Sequence, residues 1–146
     1  GIQVLNDMGN YLFSRYRGQW IPDTPSRRGL ILRNLSNWSV FSNSSPVEGI
    51  TAAIRTFYDP GKKISIYVFG DEFTGESIQG VVQTVDQLNS ANFDGERRVR
   101  IHAVGFPVQF IRPPQLQTTG IRFATLMREL ADKNGGTFVG LNDFRP

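Results

Sequence analysis

Short apolar segments and amphipathic segments alternate along the second part of this chain, and this order limits its fold more than any other feature. Three segments have the β-branched and aromatic composition of buried strands: residues 64–69, 99–104 and 137–141. Between them, apolar residues recur at spacings of three and four over residues 76–90 and 123–130, which is typical of amphipathic helices. Strands that alternate with helices favour a mainly parallel sheet with helices on both faces, the doubly wound α/β class.

The first part of the chain carries two helix starts and one hairpin. Thr24 and the proline after it are typical of an N-cap and a first helical residue. Ser45 and Glu48 have the spacing of a capping box, which predicts that Ser45 caps a second helix. Residues 1–5 and 11–13 are predicted to form an antiparallel edge hairpin around a polar turn. No internal repeat or linker divides the chain, so its 146 residues are predicted to form a single domain.

Composition narrows the functions that such a fold can carry. Of the 146 residues, 39% are hydrophobic, which is enough to bury one core. The absence of cysteine excludes disulfides, zinc–thiolate centres and cysteine nucleophiles, but it leaves the compartment open. The single histidine, His102, rules out most hydrolase arrangements and is predicted to be a half-buried structural residue. No glycine-rich phosphate loop occurs, and no apolar run approaches the roughly 18 residues of a membrane span.

The order of these elements resembles the von Willebrand factor A (VWA) domain family, from that family's second strand to its last. Residues 1–13 are similar to the second and third strands and the turn between them. Asn43-Ser44-Ser45-Pro46 is similar to the loop that opens the next helix. Residues 64–72 resemble the fourth strand and its loop, residues 99–105 the fifth strand, and residues 124–138 the last helix and strand. The resemblance implies a VWA-like α/β fold and a protein-interaction function.

The most specific motif of that family does not occur in these residues. In VWA domains the central first strand ends in Asp-x-Ser-x-Ser, which supplies most of a metal site. The run from Asp7 to Tyr11 has the aspartate but neither serine. We therefore expect a partial domain, truncated before an N-terminal strand and helix of about 50 residues. The gap in the sheet would leave unpaired strand edges, which predicts a homodimer, strand exchange or a sheet that closes up differently.

The resemblance implies that Ser44 and Asp71 are ligands of a divalent metal ion. VWA domains hold Mg²⁺ or Mn²⁺ at the carboxyl ends of the strands with oxygen ligands, which hard cations prefer. Ser44 lies where the family has a threonine and Asp71 lies where it has an aspartate, with Glu72 as the competing carboxylate. The complete domain is expected to bind an Asp or Glu carboxylate of a partner protein at an open metal position. This chain alone is expected to bind the ion weakly or not at all.

The same residues have plainer interpretations. Ser44 and Ser45 can cap the following helix, which needs no ligand. Asp71 can be an ordinary turn residue after a strand. Its position at the carboxyl end of a strand is what favours a ligand-binding role.

An enzyme and a nucleic-acid-binding domain are the alternatives from other functional classes. A Rossmann-like enzyme fragment acting on a small anionic substrate would use Asp71 and Glu72 as catalytic carboxylates. Residues 15–33 interleave arginine with aromatic residues as a nucleic-acid surface does, but the net charge of +3 is mild and a solvated surface is favoured. The sequence before Gly1 would separate the first two classes, because Asp-x-Ser-x-Ser supports adhesion and a glycine fingerprint supports the enzyme.

Overall fold

A computed structural model describes residues 1–39, 42–90 and 92–142, and in these ranges the chain is a mixed α/β protein. The α-helices and β-strands of the described residues follow in this order: α1 (Pro25–Leu35), α2 (Val47–Phe57), β1 (Ile64–Gly70), α3 (Ile78–Leu88), β2 (Val99–Gly105), α4 (Thr118–Lys133) and β3 (Phe138–Gly140). Short 3₁₀ helices lie at Ser14–Tyr16, Pro107–Ile111 and Pro114–Leu116. The predicted helices and the three later strands therefore form, with ends that shift by a few residues.

The strands form one parallel sheet in the order β1–β2–β3. The register of β1 on β2 runs from Ile64 opposite Val99 to Gly70 opposite Gly105. β3 pairs with β2 on the other side, also in parallel. The predicted parallel direction of these strands is confirmed. Because the strands are parallel, their carboxyl ends meet at one edge of the sheet.

The hydrophobic core lies between one face of the sheet and helices α2, α3 and α4. On this face β1 contributes Val68 and β2 contributes Ile101 and Ala103, all of which are buried. The helices add buried side chains that their spacing places on one side, among them Ile54, Val82, Val85, Phe123, Leu126, Met127 and Leu130. Burial of a large apolar side chain stabilises a fold by about 1.5–3 kcal/mol, so these contacts fix the three helices on this face.

The opposite face of the sheet is open among the described residues. Tyr67 and Phe69 of β1 are 62% and 64% exposed, and Val139 of β3 is 51% exposed. Arg100 and His102 of β2 lie on the same face. The prediction of helices on both faces is therefore wrong for this part of the chain. The polar residues Arg100 and His102 alternate with apolar residues in β2, and such alternation is typical of a strand with one solvated face.

The N-terminal segment packs on α2 and does not join the three-stranded sheet. Its predicted hairpin is reduced to isolated antiparallel bridges, Leu5 with Tyr11 and Ile2 with Ile21. Within the described ranges, no backbone hydrogen bond joins residues 1–21 to β1. The prediction of an edge hairpin on the sheet is therefore wrong, because this segment satisfies its backbone groups with itself and with α2.

Gly49 allows the N-terminal segment to reach α2. Its N–H donates a hydrogen bond of 2.7 Å to the Asp7 carbonyl oxygen. A Cβ at position 49 would lie 2.5 Å from the Asn6 carbonyl oxygen, so a larger residue would push the segment away. Further along, the ring of Trp20 lies 4.5 Å from that of Phe57, measured between centroids. Contacts along the length of α2 therefore hold the first 21 residues in place.

The two early helices begin in different ways. Thr24 caps α1 as predicted, because its Oγ1 accepts a hydrogen bond of 3.2 Å from the Arg27 N–H. The predicted capping box of Ser45 and Glu48 is wrong, since Pro46 takes the N-cap position of α2 and no side chain caps this helix. Proline stands at the N-cap instead of at the first helical residue, and this shift leaves Ser45 outside the helix.

Candidate functional site

The carboxyl ends of the three strands meet at one edge of the sheet, which we call the carboxyl edge. β1 ends at Gly70, which lies opposite Gly105 of β2, and Gly105 lies opposite Gly140 of β3. Asp71 and Glu72 follow β1 directly. Open α/β sheets bind ligands in crevices outside the carboxyl ends of their strands. A functional site is therefore expected at the carboxyl edge.

Glu72 links two loops at the carboxyl edge. Its Oε1 accepts a hydrogen bond of 2.5 Å from the Ser44 hydroxyl, and its Oε2 accepts one of 3.3 Å from the Thr119 hydroxyl. The Phe73 N–H also donates to the Thr119 carbonyl oxygen, at 3.0 Å. A hydrogen bond to a charged group contributes about 1.5–3 kcal/mol. Glu72 thus holds together the loop before α2 and the start of α4.

Ser44 has a backbone conformation that serine rarely adopts. Its φ is +56°, and among the described residues no other non-glycine residue has a positive φ. Two hydrogen bonds hold this conformation: the Ser44 N–H donates to the Ser42 hydroxyl at 3.1 Å, and the Thr74 N–H donates to the Ser44 carbonyl oxygen at 3.0 Å. The Ser42 hydroxyl in turn donates to Asp7 Oδ2 at 2.7 Å. Strained residues that are held this firmly are common at functional sites.

These contacts form a continuous hydrogen-bonded group, which we call the edge network. Its members are Asp7, Ser42, Ser44, Glu72 and Thr119. They come from the N-terminal segment, the loop before α2, the loop after β1 and the start of α4. All of their polar side-chain atoms are oxygens, the ligand type that hard cations prefer.

Asp71 faces a different partner. Its Oδ2 accepts a hydrogen bond of 3.0 Å from the side-chain amide of Gln109. Gln109 is 3% exposed, and its Oε1 has no hydrogen-bond partner within the described residues. A cavity of about 40 Å³ lies beside Asp71 and is also lined by Gly105, Phe123 and Phe138. This cavity has room for a water molecule.

The two predicted metal ligands therefore lie at one edge but have different neighbours. Ser44 contacts Glu72, the residue next to Asp71, which places Ser44 and Asp71 at the same end of the sheet. The carboxylate that Ser44 binds is that of Glu72, the competing candidate. Asp71 is directed toward the segment after β2. The role of Ser44 and Asp71 as ligands stays a prediction.

Sequence analysis missed three members of the edge network. Asp7, Ser42 and Thr119 are residue types that are common in any turn or helix start. They meet Ser44 and Glu72 only because the fold brings distant segments together: the bond between Thr119 and Glu72 spans 47 positions of sequence.

The side chains at the carboxyl edge fit Mg²⁺ or Mn²⁺ in type but not in number. Within residues 1–39, 42–90 and 92–142, no three Asp, Glu, His or Cys side chains lie close enough together to hold a metal ion. Mg²⁺ needs a nearly octahedral set of oxygens and gives up its water reluctantly. The edge network is thus not a complete site for such an ion.

His102 has a structural role in the sheet, in agreement with the prediction. Its ring stacks on that of Tyr67, with the centroids 4.9 Å apart. Its Nδ1 accepts a hydrogen bond of 3.2 Å from the Thr137 N–H, which ties the chain before β3 to β2. These contacts use the ring to join neighbouring strands, and within the described ranges no carboxylate is hydrogen-bonded to it as in a catalytic triad.

The arginine side chains near α1 contact aromatic and acidic side chains of the same surface. The guanidinium carbons of Arg15 and Arg27 lie 5.1 Å and 5.5 Å from the centroid of the Tyr16 ring. Arg28 pairs with Asp23 at 2.5 Å, and this hydrogen bond holds the pKa of the Asp23 carboxyl below its ordinary value. Because arginines already cover the Tyr16 ring, it is a poor platform for stacking a nucleic-acid base. A solvated surface remains the favoured interpretation.

No family model, no curated protein and no solved structure matches this chain. In the part of the chain that the structure describes, no helix is both long enough and apolar enough to cross a membrane.

Proposed function

We propose that this chain is the larger part of a VWA-type protein-interaction domain that binds its partner at the carboxyl edge. The parallel order β1–β2–β3 supports this, because it agrees with the strands that the resemblance identifies. The observation that carries the proposal is the hydrogen bond between Ser44 and Glu72. It joins two loops that the resemblance assigns independently to one metal site.

One departure from the family has a structural reason. A threonine at position 44 would put a β-branched side chain in left-handed backbone, where such residues are genuine outliers. Serine keeps the hydroxyl group and is less strained at the φ of +56°. The proposal therefore keeps Ser44 as the hydroxyl ligand and treats Asp71 and Glu72 as the two candidate carboxylates.

The enzyme alternative has less support. Two carboxylates that act as an acid and a base must both reach one substrate. Asp71 bonds to Gln109, whereas Glu72 bonds to Ser44 and Thr119. Both oxygens of Glu72 accept hydrogen bonds from this chain, whereas Asp71 is turned toward Gln109. Because the two carboxylates have different partners, a binding role is favoured over a pair of catalytic carboxylates.

In this proposal, the described residues hold the Ser44 loop, which would bind the partner, in one conformation. The edge network fixes the Ser44 loop before a partner arrives, which lowers the conformational entropy lost on binding. When bound, Mg²⁺ or Mn²⁺ would supply an open position for a partner's Asp or Glu carboxylate. Ser44, with Asp71 or Glu72, would contribute oxygen ligands, and the remaining ligands would have to come from outside these residues.

Titration of Mg²⁺ by calorimetry tests the proposal on two chains: this one, and a longer one that includes residues encoded before Gly1. This chain is expected to give little heat of binding, and the longer chain is expected to bind. In the longer chain, Asp71→Ala or Glu72→Ala should weaken binding by at least about tenfold. Glu76→Ala removes a nearby exposed carboxylate and should leave binding unchanged.

Comparison of these variants also decides which carboxylate is used. A loss with Glu72→Ala alone would assign Glu72, and a loss with Asp71→Ala alone would assign Asp71. Tight binding by the 146-residue chain would contradict the incomplete site. A longer chain that binds no Mg²⁺ would contradict the proposed function.

A further inference from the structure

Gln109 is a buried polar side chain in the loop after β2, and it contacts Asp71. It lies in the 3₁₀ helix Pro107–Ile111 and is 3% exposed. Its side-chain amide donates a hydrogen bond of 3.0 Å to Asp71 Oδ2, across 38 positions of sequence. Its Oε1 has no hydrogen-bond partner within the described residues. Burial of an amide with an unpaired oxygen opposes folding, which distinguishes Gln109 from a residue that only fills the core.

The loop that carries Gln109 is held against the start of α4. A Cβ at Gly120 would lie 2.8 Å from the Gln109 Cβ, so only glycine at this position lets the two segments pack so closely. The Gln109 carbonyl oxygen accepts a hydrogen bond of 3.2 Å from the Arg112 N–H. The side-chain amide of Gln117 donates to the carbonyl oxygens of Phe110 and Arg112, at 3.3 Å and 2.6 Å. These contacts fix the position of Gln109 without the help of Asp71.

The bond from Gln109 therefore orients the Asp71 carboxylate. Asp71 is half-buried and lies directly after β1. Its Oδ2 is bonded to Gln109, and its Oδ1 accepts no hydrogen bond from the described residues. Both oxygens of Glu72, in contrast, accept hydrogen bonds from hydroxyl groups of this chain. Of the two candidate carboxylates, Asp71 is thus the one with an oxygen that the described residues leave for a ligand.

We propose that Gln109 is a positioning residue that makes Asp71, and not Glu72, the carboxylate ligand at the carboxyl edge. The inference rests on the proposed function, because it assigns the ligand of that same site. Carboxylates that bind metal ions are usually hydrogen-bonded to an outer side chain, which fixes their orientation. The neutral amide of Gln109 does this without adding a positive charge that would repel the cation.

The Ser44 hydroxyl fits the same assignment. A hydroxyl group has one proton to donate and two lone pairs that accept. Ser44 donates its proton to Glu72 Oε1, which leaves the lone pairs of its oxygen for a cation. Ser44 and Asp71 are therefore each oriented by a neighbouring side chain, and each keeps an oxygen acceptor that this contact does not use.

Titration of Mg²⁺ by calorimetry into the longer chain tests the role of Gln109. Gln109→Met removes the amide but keeps the length of the side chain, and it is expected to weaken Mg²⁺ binding by about 10–100-fold. Gln109→Asn keeps an amide but is one methylene shorter, so it should lose the bond to Asp71 and weaken binding as well. Gln115→Met is the matched control and should bind like the wild type, because Gln115 is exposed in the same loop.

A double-mutant cycle shows whether Gln109 acts through Asp71. When Gln109→Met is added to Asp71→Ala, the affinity for Mg²⁺ should change by less than about twofold, because the carboxylate that Gln109 orients is already absent. A purely structural role would instead weaken binding further in the Asp71→Ala chain. Urea denaturation without Mg²⁺ shows whether each variant keeps its fold, and Gln109→Asn is the second variant if Gln109→Met does not fold.

Wild-type affinity in the Gln109 variants would overturn the inference. An equal loss in Gln115→Met would also overturn it, because any change in the loop would then weaken binding. A further loss in the Asp71→Ala chain, or a loss of binding with Glu72→Ala but not with Asp71→Ala, would have the same consequence. In all of these results the wild-type longer chain binds Mg²⁺, which separates them from failure of the proposed function. A wild-type longer chain that does not bind Mg²⁺ would overturn both.

Discussion

Replacement of Ser44 by alanine and by glycine separates the energy of the Ser44–Glu72 hydrogen bond from the energy of backbone strain at Ser44. Ser44→Ala removes the hydrogen bond to Glu72 but keeps a Cβ in left-handed backbone. A hydrogen bond to a carboxylate contributes about 1.5–3 kcal/mol, and the half-buried position of Ser44 favours the lower value. Ser44→Gly loses the same bond but also removes backbone strain of about 1–2 kcal/mol. Roughly 0.5–1 kcal/mol of that gain is offset by the greater freedom of glycine in the unfolded chain.

The expected result is that Ser44→Ala lowers the free energy of unfolding by about 1.5 kcal/mol. Ser44→Gly should be more stable than Ser44→Ala by about 0.5–1 kcal/mol. Urea denaturation followed by circular dichroism measures both values. Ser36→Ala is the control, because its hydroxyl bonds to the Leu32 carbonyl oxygen at the exposed end of α1, and its loss should cost less than about 0.5 kcal/mol.

A double-mutant cycle with Glu72→Gln tests whether the hydrogen bond itself is responsible. The coupling energy between Ser44→Ala and Glu72→Gln is expected to be about 1 kcal/mol, because the two side chains are in direct contact. A Ser44→Ala variant as stable as the wild type would refute the contribution of this bond. A Ser44→Gly variant no more stable than Ser44→Ala would refute the assignment of strain.

Three further predictions concern the framework around the site, and equilibrium urea denaturation measures each of them. Asn89→Ala should destabilise the fold by about 3 kcal/mol, because Asn89 is buried and bonds both backbone groups of Val99; a loss below about 1 kcal/mol would contradict this. Gly136→Ala should cost about 3 kcal/mol, since a Cβ there would lie 1.8 Å from the Ile101 carbonyl oxygen, and a neutral result would show that the β2–β3 contact is not close. Asp94 accepts hydrogen bonds from a backbone N–H two residues later and from a nearby arginine, which lower the pKa of its carboxyl. The Asp94 carboxylate therefore stabilises the fold at pH values above its ordinary pKa of 3.8, and this stabilisation is lost as the pH falls below it. Asp94→Asn should make the free energy of unfolding less dependent on pH in that range. An unchanged pH dependence of unfolding would refute this.

The strands and helices could be predicted because their signals are local. Residues 64–70 and 99–105 are short and rich in β-branched residues, and the helical segments between them require a crossover that makes the strands parallel. The start of α1 was also predictable, because the side chain of Thr24 reaches an N–H only three residues away. These features depend on neighbours in sequence, which a sequence pattern records.

The open face of the sheet could not be inferred from its strands alone. Apart from Ser65, the run Ile64–Gly70 is apolar on both faces, so its composition does not separate a strand covered on two sides from one covered on a single side. Which helices cover it is decided by tertiary packing. The polar residues Arg100 and His102 of β2 were the informative sign, because they share a face with Tyr67 and Phe69.

The site was only partly predictable for a related reason. Sequence placed Ser44 and the pair Asp71 and Glu72 after separate elements, which was enough to bring them to one edge. It could not choose between the carboxylates, because that choice depends on the backbone of Ser44, whose φ of +56° is held by bonds to nearby Ser42 and to distant Thr74. The part played by Thr119 depends on the fold of α4 against β1 and has no local signal.

Paramagnetic broadening by Mn²⁺ of the backbone amide resonances of the longer chain tests the central claim most directly, because it locates the cation. If the carboxyl edge is the binding site, the amides of Ser44, Asp71, Glu72 and Thr119 lose intensity first, at substoichiometric Mn²⁺. Glu72→Ala or Asp71→Ala should remove this selective loss. The acidic loop at Asp94 is the internal control, since it offers exposed carboxylates away from the edge. Broadening that begins at Asp94, or that spreads uniformly over the chain, would contradict the assignment of the carboxyl edge as the binding site.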